Sequence, residues 1–141
     1  MQNAMRRFTD LRTLFTVVAG LEIAYAAIAM VPPSWITPLT GWVLNADGQW
    51  VTKLLGMALA SQAWVAWMFR DRPHLGIAKM LAVYQIGSAT VDWVLWISLA
   101  DEGIFSTTQA QVGTALAVLS HYVIGLLLLA GVRASTKAVG A

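Results

Sequence analysis

Four long apolar stretches, separated by short polar segments, set the pattern of the chain. They cover residues 13–31, 51–69, 77–99 and 112–132. Each approaches the roughly 20 residues that an α-helix, rising about 1.5 Å per residue, needs to cross the hydrocarbon core of a bilayer. The pattern therefore predicts an all-α fold, an integral membrane four-helix bundle, with residues 1–141 forming a single transmembrane domain.

The connections between these stretches predict how the helices follow one another. Residues 32–50 are too polar and too broken by Pro and Gly to span a membrane, and residues 45–48 predict a turn within them. The other connections, 70–76 and 100–111, are short, which predicts an antiparallel up-down topology with the second and third helices as neighbours. The first connection holds three tryptophans, as expected of an interfacial segment lying at the level of the lipid headgroups: Trp35, Trp42 and Trp50.

The basic residues are distributed unevenly between the two ends of the predicted helices. Lys53 is alone at one end, whereas the others flank the opposite end. Because basic residues concentrate in cytoplasmic segments, both termini are predicted to face the cytoplasm, most simply across a bacterial inner membrane. The residues on the cytoplasmic side are Arg6, Arg7, Arg12, Arg70, Arg72, Lys79, Arg133 and Lys137.

Composition agrees with a membrane protein and excludes several functional classes. The chain is 58% hydrophobic and 11% charged, with a mean hydropathy of +0.66, which is too apolar for an ordinary soluble domain. It has no cysteine, so disulfides, thiolate chemistry and Cys-ligated metals are excluded. The net charge of +2 is explained by topology, so the lipid bilayer and not nucleic acid is the expected partner.

The third stretch carries the most informative polar residue. Asp92 lies in an apolar segment, where a carboxylate facing lipid costs several kcal/mol, so it needs a partner, a proton or water. Successive residues of an α-helix are rotated by about 100°, which places Asp92 and the other polar residues of this helix on one face. That face, a stripe along the helix, should point towards the interior of the bundle. The stripe consists of Leu81, Gln85, Ser88, Asp92 and Trp96.

Every predicted helix contributes at least one ionisable or amide side chain to the interior. Such groups can relay protons or hold a cationic ligand, or they can simply hydrogen-bond neighbouring helices together. For the two glutamines the second interpretation is preferred, while for Glu22 and Asp92 both stay open. Their depths predict that Asp92 and His121 are hydrogen-bonded directly or through one water, and that Glu22 joins them through Tyr25, Gln62 or a water. The candidate residues are Glu22, Gln62, Gln85, Asp92, Trp96 and His121.

His121 lies in an i, i+4 row of small residues, Gly113, Ala117 and Gly125. This space could admit a flat macrocycle, a haem or bacteriochlorophyll, ligated by His121. Close helix packing is the preferred interpretation of the same row, just as it is for Gly56 and Ala60 in the second stretch. No pair of ligands has metal-binding spacing, and no nucleophile or nucleotide motif is present, so neither a metal site nor catalytic residues are predicted.

Four tryptophans outside the interfacial segment are candidates for lining a pocket for a lipophilic molecule. Trp96 is the strongest because it shares a face with Asp92. Ordinary packing is the alternative for all four. They are Trp64, Trp67, Trp93 and Trp96.

Residues 11–21, LRTLFTVVAGL, resemble the first helix of DoxX-like membrane proteins, which is basic at its start, apolar and contains glycine. The resemblance covers under a fifth of the chain. It implies a small four-helix protein that serves as an accessory subunit of a membrane redox system, and it carries over no catalytic residues.

A second resemblance is to small multidrug-resistance exporters, which have four helices and a glutamate in the first, here Glu22. It implies a site where a proton and a cationic substrate compete. The strong charge asymmetry and the long first connection depart from that pattern.

The sequence thus favours a non-enzymatic accessory or assembly subunit of a larger membrane complex, of redox or pigment type, or a homo-oligomer, with room for a lipophilic ligand. A proton-coupled small-molecule transporter, or a small membrane enzyme using Glu22, Asp92 and His121, is the alternative.

Overall fold

A computed structural model of the protein describes residues 9–99 and 102–139, with side chains as far as residue 137. Within these ranges the chain forms α-helices and one short 3-10 helix, Gly103–Phe105, and no strand. The α-helices are α1 (Leu11–Met30), α2 (Pro33–Thr40), α3 (Ala46–Phe69), α4 (Leu75–Ser98) and α5 (Thr108–Val139). The all-helical prediction is therefore confirmed.

Three of the long helices, α1, α4 and α5, are long and apolar enough to cross a membrane. The prediction of long apolar helices is confirmed for these three stretches. Helix α3, which contains the predicted second span, is also long but does not meet the same combination of length and apolar composition within the part of the chain described. Lys53 and Gln62 account for this, because both lie within its apolar sequence.

Each long helix begins earlier than the hydrophobic pattern predicts, because a side chain at the preceding residue caps its first turn. The Asp10 carboxylate accepts from the Thr13 backbone N–H at 3.0 Å and from its hydroxyl at 2.8 Å. These hydrogen bonds, led by the one from the hydroxyl, hold the pKa of Asp10 below its ordinary value. The predicted turn at 45–48 is wrong for the same reason: Asn45 caps α3 by accepting from the Gly48 N–H at 2.8 Å.

The helices associate mainly as two pairs, α1 with α3 and α4 with α5, and α1 also packs against α5. Helices α3 and α4 are joined by a short turn, yet they are not one of the closely packed pairs. Loop length thus did not decide which helices pack most closely. Small residues at the two paired interfaces did, because they let backbones approach.

Two glycines provide these close approaches. A Cβ added to Gly56 would lie 2.9 Å from Met30 Cγ, at the α1–α3 interface. One added to Gly125 would lie 2.6 Å from Ile86 Cγ1 and 3.3 Å from the Ala82 carbonyl oxygen, at the α4–α5 interface. The packing interpretation of both small-residue rows is supported at these two positions.

The predicted interfacial segment contains the short helix α2, which is anchored on the start of α5. Gly41 ends α2 with φ of 76°, a left-handed conformation that favours glycine. The Thr107 hydroxyl donates to the Gly41 carbonyl at 2.8 Å and accepts from the Ala110 N–H at 3.1 Å. Ile36 is fully buried while Trp35 is exposed, so α2 has one face against the protein and one face free.

Lys53 has a structural role that its sequence position does not reveal. Its ammonium group donates to the Ala29 carbonyl at 2.8 Å and also to the Val31 carbonyl, both at the end of α1. A cation at a helix C-terminus satisfies carbonyls that lack intrahelical partners and interacts favourably with the helix dipole. Lys53 therefore fastens α3 to the end of α1.

We expect Gly125→Ala to destabilise the protein, because the new methyl group must displace Ile86 against a packed backbone. Overpacking of this kind costs about 1–3 kcal/mol. Gly113→Ala is the matched control on the same helix, since a methyl group at that position would have nothing within 4 Å. The free energies of unfolding of both variants, measured in one detergent, check this; equal values would mean that Gly125 is not at a close contact.

Candidate functional site: a buried glutamate, glutamine and histidine

Three of the predicted polar residues come together in the interior. Glu22 lies on α1, Gln85 on α4 and His121 on α5, each in the stripe of its helix that faces the other helices. Glu22 and Gln85 are completely buried, and His121 is 6% exposed. Burial of such groups is costly unless they are hydrogen-bonded, so their partners decide what the site can do.

The Gln85 amide joins the other two side chains. Its Nε2 donates to Glu22 Oε1, and its Oε1 is bonded to His121 Nδ1. An amide oxygen only accepts, so His121 Nδ1 must be the donor and carry a proton. The chain of hydrogen bonds therefore runs from the imidazole through the amide to the carboxyl group and links three helices.

One oxygen atom of the Glu22 carboxyl group is not hydrogen-bonded within this network. Glu22 Oε2 is buried and has no hydrogen-bond partner among the described residues. An unpaired carboxyl oxygen in such a place is unfavourable as a bare anion, and it is the point where the network could hold a proton or accept a donor. Chemically the arrangement suits holding a proton or a charge at Glu22 better than passing a proton to His121, since a neutral amide stands between them.

Aromatic and small side chains enclose the histidine. The Tyr25 ring lies with its centroid 5.6 Å from that of His121, tilted by 33°, and the Tyr25 hydroxyl is 3.5 Å from Ser120 Oγ. On the Gly125 side, Ile86 and Gln85 already fill the space beside the helix. The predicted room for a haem or bacteriochlorophyll beside His121 is thus used for helix packing on that side.

Asp92 does not take part in this network, and the prediction that it pairs directly with His121 is wrong. The histidine Nδ1 is bonded to Gln85, which lies seven residues, or about 10 Å along the helix, before Asp92. Asp92 shares the inward stripe of α4 as predicted, but it is only half-buried. Depth estimated from helix ends misplaced it by about two turns.

Gln62 and Trp96 make none of the hydrogen bonds of this network. Gln62, on α3, is half-buried and its Oε1 has no partner in the described part of the chain. Trp96 stacks on Phe105 of the 3-10 helix, with centroids 6.1 Å apart and planes at 3°, and meets Trp93 edge-on at 5.9 Å. Packing at the end of α4 accounts for Trp96.

A groove between α1 and α3 is the feature that the sequence pattern indicated least well. It has a volume of about 410 Å³ and an apolar lining. Trp64 and Trp67, two of the four predicted pocket tryptophans, lie on it, whereas Trp93 and Trp96 do not. The small side chains of α1 were the available signal, but small residues also indicate helix contacts. The lining residues are Thr16, Ala19, Gly20, Ile23, Ala60, Ala63, Trp64 and Trp67.

No grouping of three or more His, Asp or Glu side chains suited to a metal ion is found among the described residues.

In the comparisons with known proteins, no family model, no curated protein and no solved structure matches this chain. The chemistry of the site is therefore inferred from its own geometry.

We expect Gln85 and His121 to be energetically coupled. Gln85→Leu leaves two buried groups without their partner, at about 1–3 kcal/mol each. In a double-mutant cycle with His121→Leu, the coupling should be about 0.5–3 kcal/mol, measured as the free energy of unfolding.

The matched control is the cycle of Asp92→Asn with His121→Leu, which should be additive to within about 0.5 kcal/mol. Coupling in the Asp92 cycle with additivity in the Gln85 cycle would reverse the assignment of the histidine's partner.

Proposed function

We propose that this chain is an integral membrane four-helix bundle, in which α1, α3, α4 and α5 each cross a bacterial inner membrane and both termini lie in the cytoplasm. The apolar character of α1, α4 and α5 supports three of these spans. The one-sided distribution of basic residues supports the orientation.

The outward surface of α3 supports the fourth span. Large apolar side chains on this helix are 43–65% exposed, which would be unfavourable over such an area in water but suits contact with lipid tails. Lys53 lies near the start of α3 and is satisfied by carbonyls of α1, so its charge does not oppose insertion at that depth. The exposed residues are Trp50, Val51, Leu54, Leu55, Met57, Trp64, Trp67 and Met68.

Within that membrane, the proposed function is that of a non-enzymatic accessory or assembly subunit. The observation that carries it is the complete burial of Glu22 and its bond to Gln85. A carboxyl group used in this way fastens α1 to α4, whereas exchange of protons and substrates requires contact with water.

The exposed apolar surface is then available for contact with a larger membrane complex of redox or pigment type, or with further copies of this chain. The groove between α1 and α3 is available to a lipophilic ligand. The resemblance of residues 11–21 to DoxX-like proteins supports the accessory role.

A proton-coupled transporter is the second candidate, and one observation favours it. Glu22 Oε2 has no partner among the described residues, so it could exchange a proton if another conformation admitted water. In that case Glu22 would be the shared site of proton and cationic substrate, as the resemblance to small multidrug-resistance exporters implies.

Glu22→Gln separates the two candidates. The new amide keeps an oxygen that can accept from Gln85, so for an accessory subunit we expect a change of less than about 1 kcal/mol in the free energy of unfolding and the same co-purifying proteins. Glu22→Leu is the control that removes the hydrogen bond and should lower stability.

For a transporter, tetraphenylphosphonium as a probe cation should release a proton on binding the wild type, and Glu22→Gln should abolish both binding and release. Isothermal titration in buffers of different ionisation enthalpy measures this. Proton-linked binding that disappears in a fully stable Glu22→Gln would contradict the accessory role.

The proposed topology predicts which loops an impermeant thiol reagent reaches from outside the cell. In a chain without natural cysteines, single substitutions Asp47→Cys and Glu102→Cys should be labelled, while Gln2→Cys, Asp71→Cys and Ala141→Cys should be protected. Labelling after permeabilisation is the control for accessibility. Labelled Asp71→Cys together with protected Asp47→Cys would mean the opposite orientation.

A further inference from the structure

We propose that the groove between α1 and α3 binds an acyl chain of an anionic glycerophospholipid, whose phosphate group is held by Arg12 and Arg70. The inference rests on the membrane insertion proposed above, but not on the accessory role.

The groove has the shape that an alkyl chain needs. It extends along α1 from Thr16 to Ile23, about 10 Å at 1.5 Å per residue. Ala19 and Gly20 are small residues on its α1 side, and nothing lies within 4 Å of a Cβ built on Gly20, so the space beside this glycine is open. On the α3 side, Trp64 and Trp67 are 65% and 47% exposed, although both are large apolar side chains. An apolar chain in the groove would cover both.

One end of the groove is basic, and this charge indicates what kind of molecule occupies it. Arg12 lies one turn before Thr16 on α1, and Arg70 lies three residues after Trp67 on α3. The Arg70 guanidinium carbon is 3.6 Å from the centroid of the Trp67 ring, so it lies directly over a groove residue. The arginine is also held there by its donation to the Trp67 carbonyl at 2.7 Å.

The arginines at this end are only partly neutralised. Asp71 is 2.9 Å from Arg12 and 3.5 Å from Arg70, so one carboxylate serves two guanidinium groups. The Arg12 side chain is 70% exposed, and exposed ion pairs of this kind are weak. The nearby Asp10 carboxylate accepts from Thr13 and also interacts with the charge of Arg12. With Arg72, this end has three arginines against two carboxylates, so an excess of positive charge is left.

The headgroup that matches this end of the groove best is a phosphodiester without a cationic group of its own. Guanidinium groups bind phosphate oxygens through paired hydrogen bonds, and Trp67 with its neighbouring arginine is typical of the level at which lipid headgroups lie. A lipid with net negative charge would be preferred over a zwitterionic one, because the latter brings its own cation to a site that already has an excess of positive charge.

The test uses the full-length protein in a mild detergent, titrated with dioleoyl phosphatidylglycerol or dioleoyl phosphatidylcholine, with binding measured by native mass spectrometry. The two lipids have the same acyl chains and differ in headgroup charge. We expect phosphatidylglycerol to bind at least ten-fold more tightly. Glycerol phosphate alone should compete poorly, since it lacks the chain that occupies the groove. Equal affinity for the two lipids, or full competition by glycerol phosphate, would overturn the proposal.

Two sets of variants locate the site. The double substitution Arg12→Gln with Arg70→Gln should remove the preference for phosphatidylglycerol, reducing its affinity to that of phosphatidylcholine. Gly20→Leu should fill the groove and weaken binding of both lipids at least ten-fold. Gly87→Leu is its control, because a Cβ added to this α4 glycine would also have nothing within 4 Å and lies outside the groove.

Circular dichroism of each variant checks its helical content. If Gly20→Leu fails to fold, the Arg12→Gln with Arg70→Gln variant still tests the proposal independently. Unchanged lipid binding in a folded Gly20→Leu would overturn the groove as the site. A change of oligomeric state in Gly20→Leu, with no lipid effect, would overturn it too and assign the groove to a second copy of the chain. Failure of membrane insertion itself would be detected by the thiol-labelling experiment, whatever the lipid result.

Discussion

The hydrogen bonds of the Gln85 side chain are the interaction on which the arrangement of the helices depends. Glu22 and His121 are on helices that belong to different close pairs, α1 with α3 and α4 with α5. An amide can donate to one neighbour and accept from another, so one residue satisfies a carboxyl group and an imidazole at once. Apolar packing holds each pair together and also joins the two pairs, and the polar bridge adds a directional link between them.

Different polar interactions hold the two ends of the α1–α3 pair. Near the end of α1, Lys53 closes the pair by binding backbone carbonyls. Near the opposite end, Arg12 and Arg70 share Asp71 in exposed ion pairs. Partly buried hydrogen bonds from a cation are stronger than exposed ion pairs, so the first end is held more firmly and the second retains an excess of positive charge. Thr16 and Trp67, which line the groove between α1 and α3, lie towards that second end.

The hydrogen bonding of Glu22 explains why two functional interpretations of this residue persist from sequence to structure. The carboxyl group is both a structural partner of Gln85 and a group with one oxygen that has no partner among the described residues. Hydrogen bonding at Oε1 favours a structural role, and the unpartnered Oε2 keeps a proton-linked role chemically accessible. The burial of the residue makes the first role the better supported one, because a static and fully enclosed carboxyl group cannot exchange with water.

The sequence by itself determined that the chain is helical, that α1, α4 and α5 are long and apolar, and that Gln85 lies on the inward stripe of α4, since all of these depend on local composition and periodicity. It did not determine that His121 bonds Gln85 instead of Asp92, that α2 is anchored on Thr107, or that Trp67 lies on a groove while Trp96 stacks on Phe105. These depend on the rotation and offset of each helix against its neighbours. Close contacts such as that between Gly125 and Ile86 set that offset, and no single helix encodes it.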